Sequence, residues 1–129
     1  ASYWEWLSSW ERRWKRGSVL TIDYGDTFPA LYHRRPRGTL RAYFLRQRLD
    51  AAEEILARFG KQDLTCDVNF SDLRAWGEAC GWRTEFLVTQ REFVRRFGAA
   101  GRPNRAQAYL LDPDGAGGAF KVLAQRRGD

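Results

Sequence analysis

The sequence predicts an α/β fold built around a mixed sheet, and two observations support this prediction. Residues 18–25 form a short, almost wholly apolar run rich in β-branched side chains, which is typical of a strand buried on both faces. Two further strand-like runs, at 82–90 and 119–127, are separated by a short helix and a Gly-rich turn. Helical periodicity between the strands indicates that helices cover this sheet, so the three runs suit the end of a mixed α/β sheet.

Length and composition restrict the class of protein. The chain has 129 residues, of which 43% are hydrophobic and 15% aromatic, enough to bury one core and to exclude a disordered chain. Two Cys residues exclude a disulfide-dense scaffold and a four-Cys zinc site, and we expect no metal. No apolar run approaches the ~20 residues that span a bilayer, so no membrane association is expected.

The charge is positive but dispersed. Lys and Arg outnumber Asp and Glu by 22 to 16, giving +6, and 19 of the 22 cations are Arg. They are spread along the chain, which does not favour specific nucleic-acid binding. One alternative stays open, a non-catalytic interaction module in which the Trp-rich helix and the basic loop 33–41 bind an acidic protein or nucleic acid.

The first segment, residues 3–15, has helical periodicity. Trp4, Leu7, Trp10 and Trp14 share one face, which we interpret as core, with a partner-binding face as the alternative. Residues 26–62 are rich in turn signals and predict a long irregular loop of the kind that often carries function. Within it, Leu49 to Phe59 predict a short helix with Asp50 as its N-cap.

Polar and apolar residues alternate over 63–70, which predicts an extended segment with one wet face. It leads into a helix for which Ser71 is the expected N-cap. The segment is either a lead-in that hydrogen-bonds this helix or the wall of a pocket. In a pocket wall, Asp63 and Asp67 would raise a carboxyl pKa by mutual repulsion, unless nearby Arg residues cancel that effect.

Residues 91–98 predict a short helix, 101–106 a loop, and Gly115 to Gly118 a turn with no phosphate-binding role. Cys80 is expected to be a small core hydrophobe on the helix that follows Ser71. No complete nucleophile, metal or phosphate motif appears in the sequence, so an independent small enzyme is not favoured.

Four strings of residues, in this order and spacing, together resemble the MidA-like methyltransferases. They run over 18–25 (SVLTIDYG), 38–43 (GTLRAY), 60–70 (GKQDLTCDVNF) and 89–93 (TQREF). This family depends on S-adenosylmethionine and includes the arginine methyltransferase that assists assembly of respiratory complex I. The resemblance covers nearly the whole chain.

The resemblance implies the carboxyl-terminal part of a class I, Rossmann-like methyltransferase sheet, mixed, with an antiparallel last strand. Residues 18–25, 82–90 and 119–127 would be its fifth, sixth and seventh strands. The Gly-rich loop and the acid that hold the cofactor would lie upstream. Residues 1–129 would thus be a single piece of a longer protein, and the absence of Met at Ala1 agrees with this expectation.

The resemblance also places candidate residues at the cleft for cofactor and substrate. The first group lies at the end of the buried strand and the second in the loops over the cleft. They are Asp23, Tyr24 and Gly25, then Thr39, Arg41, Asp63 and Thr65, with Gln90 ordering the loop region. The catalytic base is not assigned, and Asp23 and Asp63 are candidates by residue type for holding a guanidinium substrate.

The function expected is methyl transfer from S-adenosylmethionine to a protein nitrogen, of arginine by resemblance, in the complete protein. The isolated chain is expected to be inactive and to bind no cofactor by itself. Its expected partners are a protein substrate and the upstream half of the same protein. The compartment implied is the bacterial cytoplasm, or the mitochondrion for eukaryotic relatives.

Overall fold

The computed structural model describes residues 2–10, 13–98, 101 and 103–128. Seven helices and seven strands occur within these ranges. In chain order they are α1 Ser2–Trp10, β1 Gly17–Asp26, α2 Ala30–Arg34, β2 Leu40–Phe44, β3 Gln47–Leu49, α3 Ala52–Ala57, β4 Asp63–Cys66, β5 Val68–Asn69, α4 Phe70–Ala79, β6 Arg83–Thr89, α5 Gln90–Phe97, α6 Arg105–Leu111, α7 Ala116–Ala119 and β7 Phe120–Arg127.

The larger sheet is mixed and has the strand order β5-β1-β7-β6. β7 is antiparallel to both β1 and β6, whereas β5 runs parallel to the last two residues of β1. The carboxyl ends of β1 and β6 therefore lie at the same edge. The predicted α/β class and the antiparallel last strand are confirmed.

A second sheet of three strands, in the order β3-β2-β4, takes two of its strands, β2 and β3, from residues 26–62, so the prediction of an irregular loop there was wrong. The hairpin turns at Leu45 and Arg46, both at positive φ (48° and 66°). This left-handed conformation suits a two-residue hairpin turn but normally selects Gly, Asn or Asp. The sequence therefore carries no turn signal at the point where the chain reverses.

The core lies on one face of the larger sheet, beneath α1 and α4. Leu7, Cys80 and Trp82 form one buried cluster, and Phe70, Leu73 and Leu123 form another. The burial of Cys80 confirms its prediction as a core residue.

The tryptophan face of the first helix is less buried than predicted. Trp4 and Trp10 remain 38% and 40% exposed, whereas Leu7 is 1% exposed. Trp14 lies beyond the end of α1 and packs edge-to-face on Trp82, with ring centroids 5.1 Å apart. Only part of the expected stripe therefore belongs to the core, because α1 contacts the sheet through Leu7 and Tyr3.

The second face of β1 is open within the described part of the chain. Leu20 and Ile22 are 50% and 46% exposed, so the prediction of burial on both faces was wrong for these residues. Successive side chains of a strand point to opposite faces, and α1 and α4 pack on the face that carries Val19 and Thr21. The apolar run therefore indicates that both faces of β1 are apolar, but it does not indicate that other elements pack on both faces.

Several predicted helix ends moved by a few residues. Asp50 caps no helix and pairs with Arg48 instead, while α3 begins without a side-chain cap. Asn69, not Ser71, is the N-cap of α4, because its side chain accepts a hydrogen bond from the Ser71 amide. α6 begins at Arg105 within the predicted loop 101–106 and continues beyond it, and the predicted Gly-rich turn contains most of the one-turn helix α7. No helix within the described ranges is long and apolar enough to cross a membrane.

Candidate functional site

The two sheets meet where β1 ends. β5 pairs with Gly25 and Asp26, and a side chain at Gly25 would collide with the Val68 backbone, so Gly25 allows this close approach. Asp67 stands between β4 of the smaller sheet and β5 of the larger one. Its position places one carboxylate at the junction of the two sheets, at the carboxyl edge where α/β proteins commonly bind ligands.

Both oxygens of Asp67 are held by arginines. Oδ1 lies 2.8 Å from Nη2 of Arg41, and Oδ2 accepts a hydrogen bond from Nε of Arg35 at 2.6 Å. The side chains of Asp67 and Arg41 are 5% and 7% exposed, and that of Arg35 is 29% exposed. Thr39 supports the cluster, because its carbonyl accepts from Arg41 Nη1 at 3.3 Å and from the Asp67 amide at 3.3 Å.

The arginines keep Asp67 ionised. Burial raises the pKa of Asp67, but hydrogen bonds and charge from Arg41 and Arg35 outweigh burial and leave the pKa below its usual value. The hydrogen bond to Asp67 likewise raises the pKa of Arg41, against the opposing effect of burial. Of the two outcomes left open for a pocket wall, a raised carboxyl pKa or its cancellation by Arg residues, Asp67 shows the second. Asp67 positions two guanidinium groups and is unsuited to proton abstraction.

An open cleft of about 490 Å³ adjoins this ion-pair cluster. Its lining combines three aromatic rings with the polar groups of the cluster, and it includes Tyr24, Tyr43, Phe120, Arg41, Thr65 and Asp67. Tyr24 packs edge-to-face on Phe120 with centroids 5.6 Å apart, and Arg41 Cζ lies 5.8 Å from the centroid of the Tyr24 ring. Burial, followed by the charge of Asp23, raises the pKa of Tyr24, so its phenol is neutral near pH 7.

Three of the residues predicted for the site come together in this cleft. Tyr24 comes from β1, Arg41 from β2 and Thr65 from β4, where Arg41 and Thr65 are register partners. Thr39 lies next to them and contributes its carbonyl to the cluster. Gly25 lies at the β1–β5 junction described above.

The other candidates lie apart from the cleft lining. Asp23 lies on β1, and its Oδ1 accepts a hydrogen bond from the Tyr24 amide at 2.8 Å. Because successive side chains of a strand point to opposite faces, Asp23 and Tyr24 lie on opposite faces of the sheet. Asp63 is exposed at the start of β4. Gln90 begins α5 at the carboxyl end of β6, and its side chain donates to the Leu110 carbonyl at 3.5 Å.

Four lining residues were not among the site candidates predicted from the sequence: Arg35, Tyr43, Ala119 and Phe120. Asp67 belongs to the segment for which a pocket wall was one of two alternatives, and the structure buries it in the cleft lining together with Thr65. Arg35 lies in a run of arginines, and no pattern in the sequence distinguishes it from its neighbours. Phe120 begins the last strand, and its pairing opposite Tyr24 depends on a contact between distant parts of the chain.

Comparison with known proteins relates the chain to a methyltransferase family. A family model described as "putative S-adenosyl-L-methionine-dependent methyltransferase" matches residues 1–88. No curated protein matches. A solved structure of a COG1565 superfamily member from Burkholderia thailandensis, described as a methyl transferase candidate and bound to S-adenosyl-homocysteine, has 25% identity and a TM-score of 0.76. It covers 96% of this chain and 35% of its own.

A second COG1565 superfamily structure from the same organism, a native crystal form of an uncharacterised protein, gives 25% identity and a TM-score of 0.77. It covers 96% of this chain and 36% of its own, so the present chain spans about a third of the length of the structures it resembles. The family model matches well over half of the chain. The chain therefore belongs to this family of S-adenosyl-L-methionine-dependent methyltransferases.

Proposed function

We propose that the chain forms the acceptor side of the active site in a methyltransferase that transfers a methyl group from S-adenosylmethionine to a protein nitrogen. The observation that carries the proposal is the aromatic and cationic cleft at the carboxyl end of β1. When bound, the cofactor supplies a sulfonium methyl group for in-line displacement by the nucleophile. The described residues would bind and align that nucleophile.

The described residues fit the acceptor better than the cofactor. Ribose hydroxyls of nucleotide cofactors are commonly held by a carboxylate. At this edge, Asp67 is occupied by two arginines, and Asp26 faces Arg34 at 3.4 Å and Lys121 at 3.9 Å. We therefore propose that the isolated chain binds no cofactor, and that residues of the complete protein outside the described ranges hold the ribose.

The three rings of the cleft can receive the flat face of a planar acceptor. Arg side chains stack on aromatic faces, and Tyr24, Tyr43 and Phe120 offer such faces next to solvent. The arginine acceptor itself follows the resemblance to the MidA-like family, as do complex I assembly and a bacterial cytoplasmic or mitochondrial location. These assignments are part of the proposal.

Label transfer tests the function. The complete protein that carries this chain is incubated with methyl-labelled S-adenosylmethionine and two peptides that differ only by Arg or Lys at one position. We expect label in the Arg peptide, and a loss of at least about tenfold in kcat/KM for Tyr43→Ala, which removes a stacking face. Tyr109→Ala is the matched control, because Tyr109 is a 65% exposed ring on α6 outside the cleft lining.

Equal labelling of the two peptides would refute the arginine acceptor. Equal activity of Tyr43→Ala and Tyr109→Ala would refute the assignment of the cleft. Calorimetry with S-adenosyl-homocysteine tests separately whether this chain holds the cofactor. Tight binding by the 129-residue chain alone would contradict a ribose site outside the described residues.

A further inference from the structure

A second pocket lies behind the ion-pair cluster and shares two of its walls with the cleft. It encloses about 160 Å³ between the loop after α2 and the strands β2 and β3. Arg35 and Arg41 line both the pocket and the cleft. A group bound in the pocket would therefore lie one side-chain layer away from the proposed methyl acceptor.

The pocket is strongly cationic. Five arginines line it, and their charges are partly balanced by Asp50 in the lining and by Asp67 and Asp26 behind it. The five arginines and three aspartates together carry a net charge of +2. Arg37 is exposed and makes no ion pair or hydrogen bond with any part of the chain that the structure describes.

The arginines are also oriented for a ligand. Arg35 and Arg48 each bond a carboxylate through Nε, Arg35 to Asp67 at 2.6 Å and Arg48 to Asp50 at 2.8 Å. A guanidinium group carries five N–H donors. Anchoring at Nε fixes the plane of each group, and among the described residues no bond engages the terminal Nη atoms of these two side chains. Such fixed forks match a planar oxyanion bidentately.

We propose that this pocket binds a carboxylate of an acidic polypeptide segment, and that the segment flanks the methyl-accepting residue of the protein substrate. Only the position of this segment beside the methyl-accepting residue rests on the proposed function. The net positive charge would attract the acidic segment, and Arg37 would supply an unpaired cation at the entrance. The shared walls would then place the neighbouring residue of the substrate in the cleft.

The lining favours a polypeptide over a nucleic acid. Sequence-tolerant binding of single strands depends on aromatic rings that stack on bases along a basic groove. The pocket lining contains no aromatic ring, and its members other than the arginines are Pro36, Gly38, Leu40 and Asp50. A volume of about 160 Å³ suits one compact anionic group rather than a base with its sugar.

Fluorescence anisotropy tests the pocket without the cofactor, so its result is independent of methyl transfer. The probe is fluorescein-labelled hexaglutamate, with hexaglutamine of the same length as the neutral comparison. We expect binding of hexaglutamate that weakens with salt, and a loss on the order of tenfold in affinity for Arg37→Glu. Arg95→Glu is the matched control, because Arg95 is exposed on α5 and its substitution makes the same change of charge outside this lining.

Four outcomes would overturn the inference. Absence of hexaglutamate binding or an equal loss in Arg37→Glu and Arg95→Glu would leave no pocket-specific site. Tighter binding of oligothymidylate than of hexaglutamate would favour nucleic acid, and displacement of hexaglutamate by inorganic phosphate at lower concentration than by free glutamate would favour a phosphate group. Peptide binding without methyl transfer would contradict the proposed function but not the pocket.

Discussion

Replacing Asp67 by Asn tests whether the buried ion-pair cluster holds the two sheets together. The substitution keeps the shape of the side chain but removes the charge that faces Arg41 and Arg35. Asp67 and Arg41 are 5% and 7% exposed, so Arg41 would be left buried without its counter-ion. Breaking a buried pair in this way costs about 3–5 kcal/mol.

The contribution of Arg35 is smaller, because its side chain is 29% exposed and can turn towards water. We therefore expect Asp67→Asn to lower the free energy of unfolding by about 3–4 kcal/mol at pH 7. For a domain of this size that corresponds to a fall in Tm of about 10 °C. Urea unfolding at constant slope, followed by tryptophan fluorescence, measures the change.

The effect also has a defined pH dependence. The folded pKa of Asp67 lies below its ordinary value of 3.8, so the carboxylate contributes fully above the unfolded pKa. Its contribution is lost as the pH falls through the folded pKa, and the stability difference between the native protein and Asp67→Asn should shrink over that range. A difference that is unchanged at pH 2 would contradict the electrostatic explanation.

The control is Asp50→Asn, which removes an ion pair with Arg48 whose side chains are 48% and 43% exposed. Exposed pairs contribute about 0–1 kcal/mol, so this variant should unfold almost like the native protein. A loss of unfolding free energy for Asp67→Asn no larger than that for Asp50→Asn would refute a stabilising role of the buried cluster.

Four further substitutions test the core beneath the larger sheet and the capping of α5. Trp82→Ala should cost about 3–5 kcal/mol in urea unfolding, since Trp82 is 2% exposed, whereas Trp4→Ala at 38% exposure should cost less than about 1 kcal/mol; similar values would disprove the described core. Thr89→Ala removes the capping box of α5 and should lower stability by about 1 kcal/mol in scanning calorimetry, and an unchanged Tm would show that the cap contributes nothing. Gly77→Ala would place a methyl group against the Gln125 side chain, and denaturant titration should show a loss of about 1–3 kcal/mol unless Gln125 moves aside without cost.

Local patterns allowed the second half of the fold to be predicted well. The runs at 82–90 and 119–127 became β6 and β7 with boundaries shifted by one residue. The first of the three helices between them, α5, was also predicted, because its apolar periodicity lies within one short segment. In each case the interactions that define the element are close in sequence or lie on a plainly apolar face.

The smaller sheet could not be predicted, because its pairing depends on contacts that no local pattern records. The turn at Leu45 and Arg46 lacks the usual turn residues, so β2 and β3 were not predicted, whereas β4 lies in the segment 63–70 that alternation predicted to be extended. The ion pair between Arg41 and Asp67 was not predicted for a related reason. Arg41 and Asp67 are 26 positions apart, and only the β2–β4 pairing brings the buried charges together.

The long pairing of β1 with β7 has a consequence for how the protein is made. Their register runs without interruption from Gly17 opposite Arg127 to Tyr24 opposite Phe120, so each pair joins positions about a hundred residues apart. A chain emerging from the ribosome at about 5–20 residues per second exposes β1 for many seconds before its partner strand is synthesised. During that interval Leu20 and Ile22 belong to an unpaired apolar strand of the kind that aggregates. We therefore expect nascent chains that end before β7 to be held by a chaperone and released once Arg127 has left the exit tunnel.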